Sequence, residues 1–443
     1  MKTIVFIGTH KSGSSYEAFK AAKHIRYYTV LLTNQEISED KRTEYPDIHL
    51  IKCCDINNMD RIKNCILCLQ INLDIKAIVS FIEPYCYTAS VLAKEFGLKD
   101  FSAQAISIML NKIESRKILE GTRHIPLFYE IKDNQPMPEE AIEKFPLVLK
   151  APSSAGSKDV YKVTSFRQYK EAYRDIRICY PAEPILAEEY LEGPQYLVET
   201  VTINHKVNIV AIIKQEITFT GRFIVTGYQM ILNHENEFYQ SLKETVNVII
   251  KKHGMKDGPC HLEIRYAGNE WKLIEVNPRI SGGAINSFIE TACGVNLVEE
   301  TLKFALGLTP DFNYKFKKET FLKYLVVPKE GILIKVTGKN KASDSEGAEH
   351  VYIRPKKGSI IIPPVSMAHR YAYVIAAGKS PEEAKENAEH SASQIKFHLK
   401  AINCLLFCGL NNRERRLIQI ADKNKEYIEK INPFFNNYVL YNS

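Results

Sequence analysis

The sequence predicts a multidomain protein of mixed α/β and α+β architecture, and three observations carry that reading. Its 443 residues exceed what one hydrophobic core normally organises, so roughly two to four domains are expected. Residues 1–105 alternate short β-branched runs with helical stretches, the rhythm of a parallel sheet. From residue 124 onward strands dominate, and the alternation of apolar and polar residues fits antiparallel pairing.

The first unit offers strands at Thr3–Ile7, Tyr28–Leu32, His49–Lys52 and Ala77–Phe81, with helices at Ser15–His24 and Tyr87–Phe96. Ligands of such sheets lie beyond the carboxyl ends of the strands, which places Gly8–Gly13 and Glu83-Pro84-Tyr85 at the mouth of any pocket. The loop Gly8-Thr-His-Lys-Ser-Gly13 lacks the Gly-x-Gly-x-x-Gly fingerprint, which disfavours a dinucleotide. One helix is expected from Gln104 to Leu119. Strand, loop, strand, helix, strand then follow: Pro146–Lys150, the loop to Asp159, Val160–Val163, Ser165–Ile178 and Ile185–Tyr190. A larger antiparallel section starts at Gln195, with helices near Phe238–His253 and Leu297–Leu306. Residues 326–403 form one more strand-rich unit, expected to end in a helix that Ser380-Pro381 begins, and 404–443 form an extension. The expected units are therefore 1–105, 106–190, 191–325, 326–403 and 404–443.

A hydrophobic content of 45% and a charged content of 25% suit a globular protein. The net charge of +7 is spread along the chain, so no nucleic-acid partner is implied. The first apolar run is too short for a signal peptide or a membrane span, and a cytoplasmic protein without a membrane partner is expected. The ten cysteines are no disulfide framework in so long a chain; Cys65-Ile-Leu-Cys68 lacks a second pair at zinc-finger spacing, and Cys260-His261-x-Glu263 lacks the second half of a zinc deaminase motif.

The chemistry concentrates between His261 and Arg279. A three-residue turn at Gly268-Asn269-Glu270 would set Glu263 opposite Glu275 and His261 opposite Asn277, with cross-strand side chains about 5 Å apart. Leu262, Ile264, Ile274 and Val276 would form the opposite, core-facing side. Two carboxylates and an amide are hard oxygen donors suited to Mg²⁺. Pro278-Arg279-Ile-Ser-Gly-Gly-Ala284 then leads into a helix, and an Arg with a glycine turn at a helix start can hold a phosphate or carboxylate. Upstream, Lys150 and the Ser/Gly loop after it could fold over a triphosphate, although no P-loop is present. The strand exit Glu188-Glu189-Tyr190-Leu191 could read adenine through its backbone.

Taken in order, Lys112, Lys150 and its loop, Glu188–Leu191, Lys214, Glu263, Glu275, Asn277 and Arg279 resemble the ATP-grasp superfamily over roughly residues 1–325. His261-x-Glu263 with Ile274-Glu-Val-Asn-Pro-Arg-Ile-Ser-Gly-Gly283 looks most like the carboxylate-amine ligases, especially the bacterial L-amino acid ligases that make dipeptides. Gly358-Ser-Ile-Ile361 and Arg370–Gly378 look like the extra C-terminal subdomain of those ligases.

The resemblance implies an ATP-grasp fold with an N-terminal parallel-sheet domain and an extra C-terminal subdomain, ATP as cofactor, and two Mg²⁺ ions, for which Mn²⁺ can substitute. Glu263, Glu275 and Asn277 would hold the metal. Lys112, Lys150 and Lys214 would neutralise phosphates under a loop carrying Ser153, Ser154, Gly156 and Ser157. Glu188, the Glu189 carbonyl and the Leu191 N–H would seat adenine. Arg279, Gly282 and Gly283 would bind the substrate carboxylate and then the acyl phosphate, with Glu83 and His261 lining the same pocket. Two positions depart from the family pattern: Asp159 stands where Gly is common, and Gln195 stands where Glu commonly grips the ribose. The implied reaction joins amino acids, or similar small carboxylates and amines, through an acyl phosphate. A larger or carrier-bound acceptor, a carboxylase-type reaction and a non-catalytic nucleotide-binding module are the alternatives. The last forty residues either pack on the body or on a second subunit of a homodimer, or recruit an acidic carrier protein.

Overall fold

The structure, a computed structural model, describes residues 1–37, 42–132, 137–154, 159–219 and 222–401. Strands β1 (Lys2–Ile7), β2 (Tyr28–Thr33), β3 (Leu50–Cys53) and β4 (Asp74–Val79) make a parallel sheet in the order β3-β2-β1-β4. Five of the six residues of β1 are buried, as expected of a strand covered on both faces. The connecting helices are α1 (Ser14–His24), α2 (Met59–Gln70) and α3 (Glu83–Glu95). Helix α3 starts four residues before the expected Tyr87, because Pro84 suits a first turn whose N–H groups have no intrahelical acceptor. Glu83 therefore sits at a helix start instead of a strand end.

The single helix expected over 104–119 is two. Asn111 is extended between α4 (Ala103–Leu110) and α5 (Lys112–Lys117), and its side chain accepts from the N–H groups of Ile113 and Glu114. Asn caps a helix start better than it continues a helix, so α5 sets off in a new direction.

The lid module follows: β5 (Phe128–Ile131), α6 (Glu139–Ile142), β6 (Leu147–Lys150), β7 (Val160–Val163), α7 (Phe166–Cys179) and β8 (Ile185–Glu189), in an antiparallel sheet ordered β5-β8-β6-β7. The body adds β9 (Gln195–Ile203), β10 (Lys206–Phe219), β11 (Phe223–Met230), α8 (Glu237–Lys252), β12 (Gly258–Ala267), β13 (Glu270–Asn277), α9 (Ile285–Cys293) and α10 (Leu297–Ala305). Last come β14 (Glu319–Leu325), β15 (Gly331–Thr337), α11 (Lys339–Ser343), β16 (Ala348–Ile353), β17 (Ile360–Ile361), β18 (Ala372–Gly378), α12 (Pro381–Gln394) and β19 (Lys396–Lys400).

An eight-stranded sheet ordered β13-β12-β9-β10-β11-β14-β18-β16 is the frame of the molecule. Two C-terminal strands, β18 and β16, thus continue the body sheet through β14. Ser380 caps α12 as expected, its side chain accepting from Glu383 N at 3.2 Å, but the unit ends in β19, which pairs with β15, and not in a helix. One face of the sheet packs Leu262, Ile264, Leu273 and Val276 against α8. The other packs Leu197, Ala211 and Ile213 into a core shared with α9 and the first domain. Mixed α/β domains, a parallel first sheet and antiparallel later ones match the expected fold class. Among the described residues no helix is long and apolar enough to cross a membrane.

Candidate active site

The hairpin β12–β13 pairs Glu263 with Glu275 and His261 with Asn277, the register expected, by a different route. Its turn has two residues, Gly268 and Asn269, both at positive φ (57° and 62°), as a tight hairpin turn with matching twist requires. The register then shifts between Glu263 and Ile264, so that Ile264 faces Leu273 and Ile274 is an extra, bulged residue. Leu273, not Ile274, therefore joins Leu262, Ile264 and Val276 in the core. The Ile274 carbonyl accepts from Arg116 Nη2 at 2.6 Å and Lys150 Nζ at 3.5 Å.

Burial and the charge of Glu275 raise the carboxyl of Glu263 above the ordinary range. Among the described residues no cation pairs with it directly; Gln195 Nε2 donates to it at 3.0 Å. At Glu275 burial pushes upward too, but the charge and hydrogen bond of Lys112, 2.9 Å away, outweigh it and hold the carboxyl below its usual value. Lys112 Nζ also donates to the carbonyls of Pro152 (3.1 Å) and Ser154 (2.6 Å), tying α5 to the segment that follows β6. Two facing, half-buried acids, one of them without a paired cation among the described residues, form a donor set that fits Mg²⁺.

The lid's charges are closed among themselves. Glu188 contacts Arg116 Nε and Lys150 Nζ, each at 2.5 Å. Burial opposes every charge here, yet the cations win at Glu188 and hold its carboxyl low. Lys150 is pushed down by burial, and the adjacent Arg116 adds repulsion. Arg116, 1% exposed and one of the largest fully buried side chains, received no role from the sequence, although it lies one helical turn after Lys112 and hence on the same face.

At the far end Arg279 Nη2 donates to Glu83 Oε2 at 2.7 Å. The Asn277 amide is satisfied with its nitrogen toward Glu83, 2.8 and 3.3 Å from the two oxygens, and its oxygen facing His261 Nε2 at 3.3 Å. Burial first, then the charge of Arg279, lowers His261 to about 3, so it is neutral at physiological pH. Gly283 (φ 66°) makes the turn before α9, and its backbone abuts Gly13, where a Cβ would lie 2.7 Å from Gly283 N. Gly282 is exposed with open space around it. Glu199, which the sequence reading passed over, stands beside His261 in the β9–β12 register, and burial raises it to about 7. An acid in the middle of β9, a strand buried along nearly its whole length, is the signal that marked it.

Other expected residues are placed as follows. Leu191 lies in the short connection from lid to body; its carbonyl accepts from Arg265 at 2.7 Å, while its N–H has no protein acceptor among the described residues. The Glu189 side chain pairs with Lys272 at 2.7 Å. Gln195 is buried among Glu263, Gln215 and Arg265. The Ser153 hydroxyl bonds Glu183, and that of Ser154 bonds the Ala151 carbonyl. Gly156 and Ser157 lie outside the described residues. Asp159 adopts φ 57°, the left-handed conformation that Gly would supply. Lys214 requires a correction: paired with Tyr196, it is exposed on the sheet face away from Glu263, and strand alternation turns Gln215 toward the site instead.

Residues 143–287 match the ATP-grasp domain model, and residues 323–400 match L-amino acid ligase C-terminal domain 2. An uncharacterised protein of Sinorhizobium fredii is 22% identical over 416 residues, covering 91% of this chain and 84% of that one. The L-arginine-specific L-amino acid ligase of Bacillus subtilis is 24% identical over 246 residues, 53% of this chain and 58% of that protein. The crystal structure of L-amino acid ligase from Bacillus licheniformis superposes with a TM-score of 0.77 at 18% identity, covering 90% of this chain and 99% of that one. The chain thus carries an ATP-grasp domain with an L-amino acid ligase C-terminal domain behind it, the make-up of an ADP-forming ligase of carbon–nitrogen bonds.

Proposed function

We propose that the chain joins the carboxylate of one amino acid, or a similar small acid, to the amine of another through an acyl phosphate, releasing ADP and phosphate in the cytoplasm. The observation that carries this is the facing of Glu263 and Glu275 on a hairpin that runs from the Lys112–Lys150 cluster to the Arg279–glycine turn. Magnesium-ATP, when bound, supplies the phosphoryl group and the charge neutralisation its transfer needs. Glu263 and Glu275, with the oxygen of Asn277, would hold two Mg²⁺ ions.

The chain's own residues do the rest. Lys112 and Lys150 exchange their carboxylate and carbonyl partners for phosphate oxygens, while the Leu191 N–H and the Glu189 carbonyl read the adenine edge. Arg279, steered by Glu83, holds the donor carboxylate so that one oxygen attacks the γ-phosphorus in line. The neutral amine of the acceptor then attacks the acyl carbon. Arg279 and the backbone of the Gly282-Gly283 turn stabilise the oxyanion, and its collapse expels phosphate. Gln195 donates to Glu263, which an acid at that position would repel.

The test is an ADP-release screen over pairs of proteinogenic amino acids, with mass measurement of products. A product equal to the two substrates less one water is expected. ADP release with a carboxylated product, or none with any pair, would replace this reading.

A further inference from the structure

Lys112, Lys150, Arg116 and Arg279 each hold a carboxylate of the protein. Arg370 does not. It stands just before β18, half-buried, with its guanidinium carbon 3.8 Å from the centre of the Tyr324 ring. Its Nη1 donates to Tyr228 Oη at 3.2 Å and to the Val225 carbonyl at 3.3 Å. Among the described residues no carboxylate forms an ion pair with it, although the charge of Glu263 reaches it, and only its Nη1 has acceptors. Stacking on Tyr324 and the bond to Tyr228 fix the plane of the guanidinium and leave donors in place for an incoming anion.

Its neighbours place it at the reaction end of the cleft. Tyr324 Oη accepts from Ala284 N at 3.2 Å and lies 3.0 Å from where a Cβ on Gly283 would stand, so the ring beneath Arg370 also supports the acyl-binding turn. Tyr228 pairs in register with Gln215, which contacts Gln195 and through it Glu263. Arg370 thus reaches from the C-terminal strands into the space between the glycine turn and the acidic pair.

A ligase that joins two amino acids must hold two carboxylates, one that reacts and one that does not. Arg279 and the glycine turn serve the first under the function proposed above, on which the next step rests. We infer that Arg370 binds the unreacted carboxylate of the acceptor, so that the acceptor class is α-amino acids and not simple amines. Arg354, the nearby second cation, is close enough for the two guanidinium charges to repel, which strengthens the local attraction for an anion.

The test uses the full chain with Mg²⁺, a non-hydrolysable ATP analogue and propionate saturating the donor position. A panel of L-amino acids and their α-amides is then titrated calorimetrically into the wild type, Arg370→Met and Arg370→Lys. The wild type is expected to bind the acids more tightly than the amides by roughly 10- to 100-fold, the scale of a hydrogen bond to a charged group. Arg370→Met abolishes that preference; Arg370→Lys keeps part of it and serves if the methionine variant does not fold. Hydroxamate formation from hydroxylamine, donor acid and ATP needs no acceptor carboxylate and should stay within about twofold of wild type in both variants, since one factor of ten is 1.4 kcal/mol and no donor contact changes. A preference that survives in Arg370→Met, or a hydroxamate rate that falls with it, overturns the inference. Absence of hydroxamate in the wild type with every acid sinks the ligase reading alone, because the acid-over-amide preference still decides Arg370.

Discussion

Two carboxylate clusters, one buried around Glu188 and one half-buried at Glu263 and Glu275, are built on opposite principles. On the lid side one acid, Glu188, is shared by two cations, Arg116 and Lys150, at 2.5 Å each. On the hairpin side two acids, Glu263 and Glu275, oppose each other with Lys112 on only one of them. Excess positive charge steadies the first cluster; deficient positive charge leaves the second short of a cation. Under the proposed function the contrast separates a carboxylate that maintains architecture from carboxylates arranged for a ligand, something residue type alone does not reveal.

The strongest challenge to that division is Glu275→Ala. Turnover, followed as single-turnover ADP formation, should fall about a thousandfold or more, as when a preorganised electrostatic group is removed. The fold should persist, since Lys112 keeps the Pro152 and Ser154 carbonyls. Next comes Glu188→Gln, which strands two buried cations. A loss of about 3–5 kcal/mol is expected in denaturant titration. Unchanged stability with loss of nucleotide binding alone would instead make Glu188 the adenine reader that the family resemblance implies.

A smaller effect is expected of Glu263→Gln. Removing one of two like charges should leave apo stability level or slightly raised, while Mg²⁺-dependent nucleotide affinity drops about 100-fold or more by calorimetry. The mildest test is pH. Burial and Glu275 raise the Glu263 carboxyl, and its proton must leave before a cation binds. Nucleotide affinity should therefore fall as pH drops through neutrality, with proton release visible in buffers of different ionisation enthalpy. Apo stability has the opposite sign: a raised carboxyl stabilises the fold at pH below its unfolded value and loses that contribution as pH rises through its folded one. Affinity and stability that move together with pH would contradict the assignment of a proton to this group.

Much of the site was legible because strand alternation is strict. One residue separates His261 from Glu263 and Glu275 from Asn277, so each pair shares a face, and the acids had to share it too once any pairing near that register was adopted. The turn was misread because two departures cancel: one residue fewer in the turn, one more in the bulge. The same alternation places Lys214 outside the site, and counting from Ile213 in the core would have shown it. Arg116 escaped because its partners, Glu188 and the Ile274 carbonyl, come from segments 72 and 158 residues away, and no local pattern reports such contacts. Arg370 was visible only as part of a segment of family resemblance, since its position depends on β18 joining the body sheet through β14.

The bulge at Ile274 has an evolutionary corollary. Ile264 faces Leu273 and Glu263 faces Glu275, so loss of the one codon between Leu273 and Glu275 would leave both oppositions as they are. What would vanish is the carbonyl that anchors Arg116 and, more loosely, Lys150. The opposition of the two acids and the tether to Arg116 and Lys150 are thus separately heritable properties of one hairpin, and a deletion there would alter the second without touching the first.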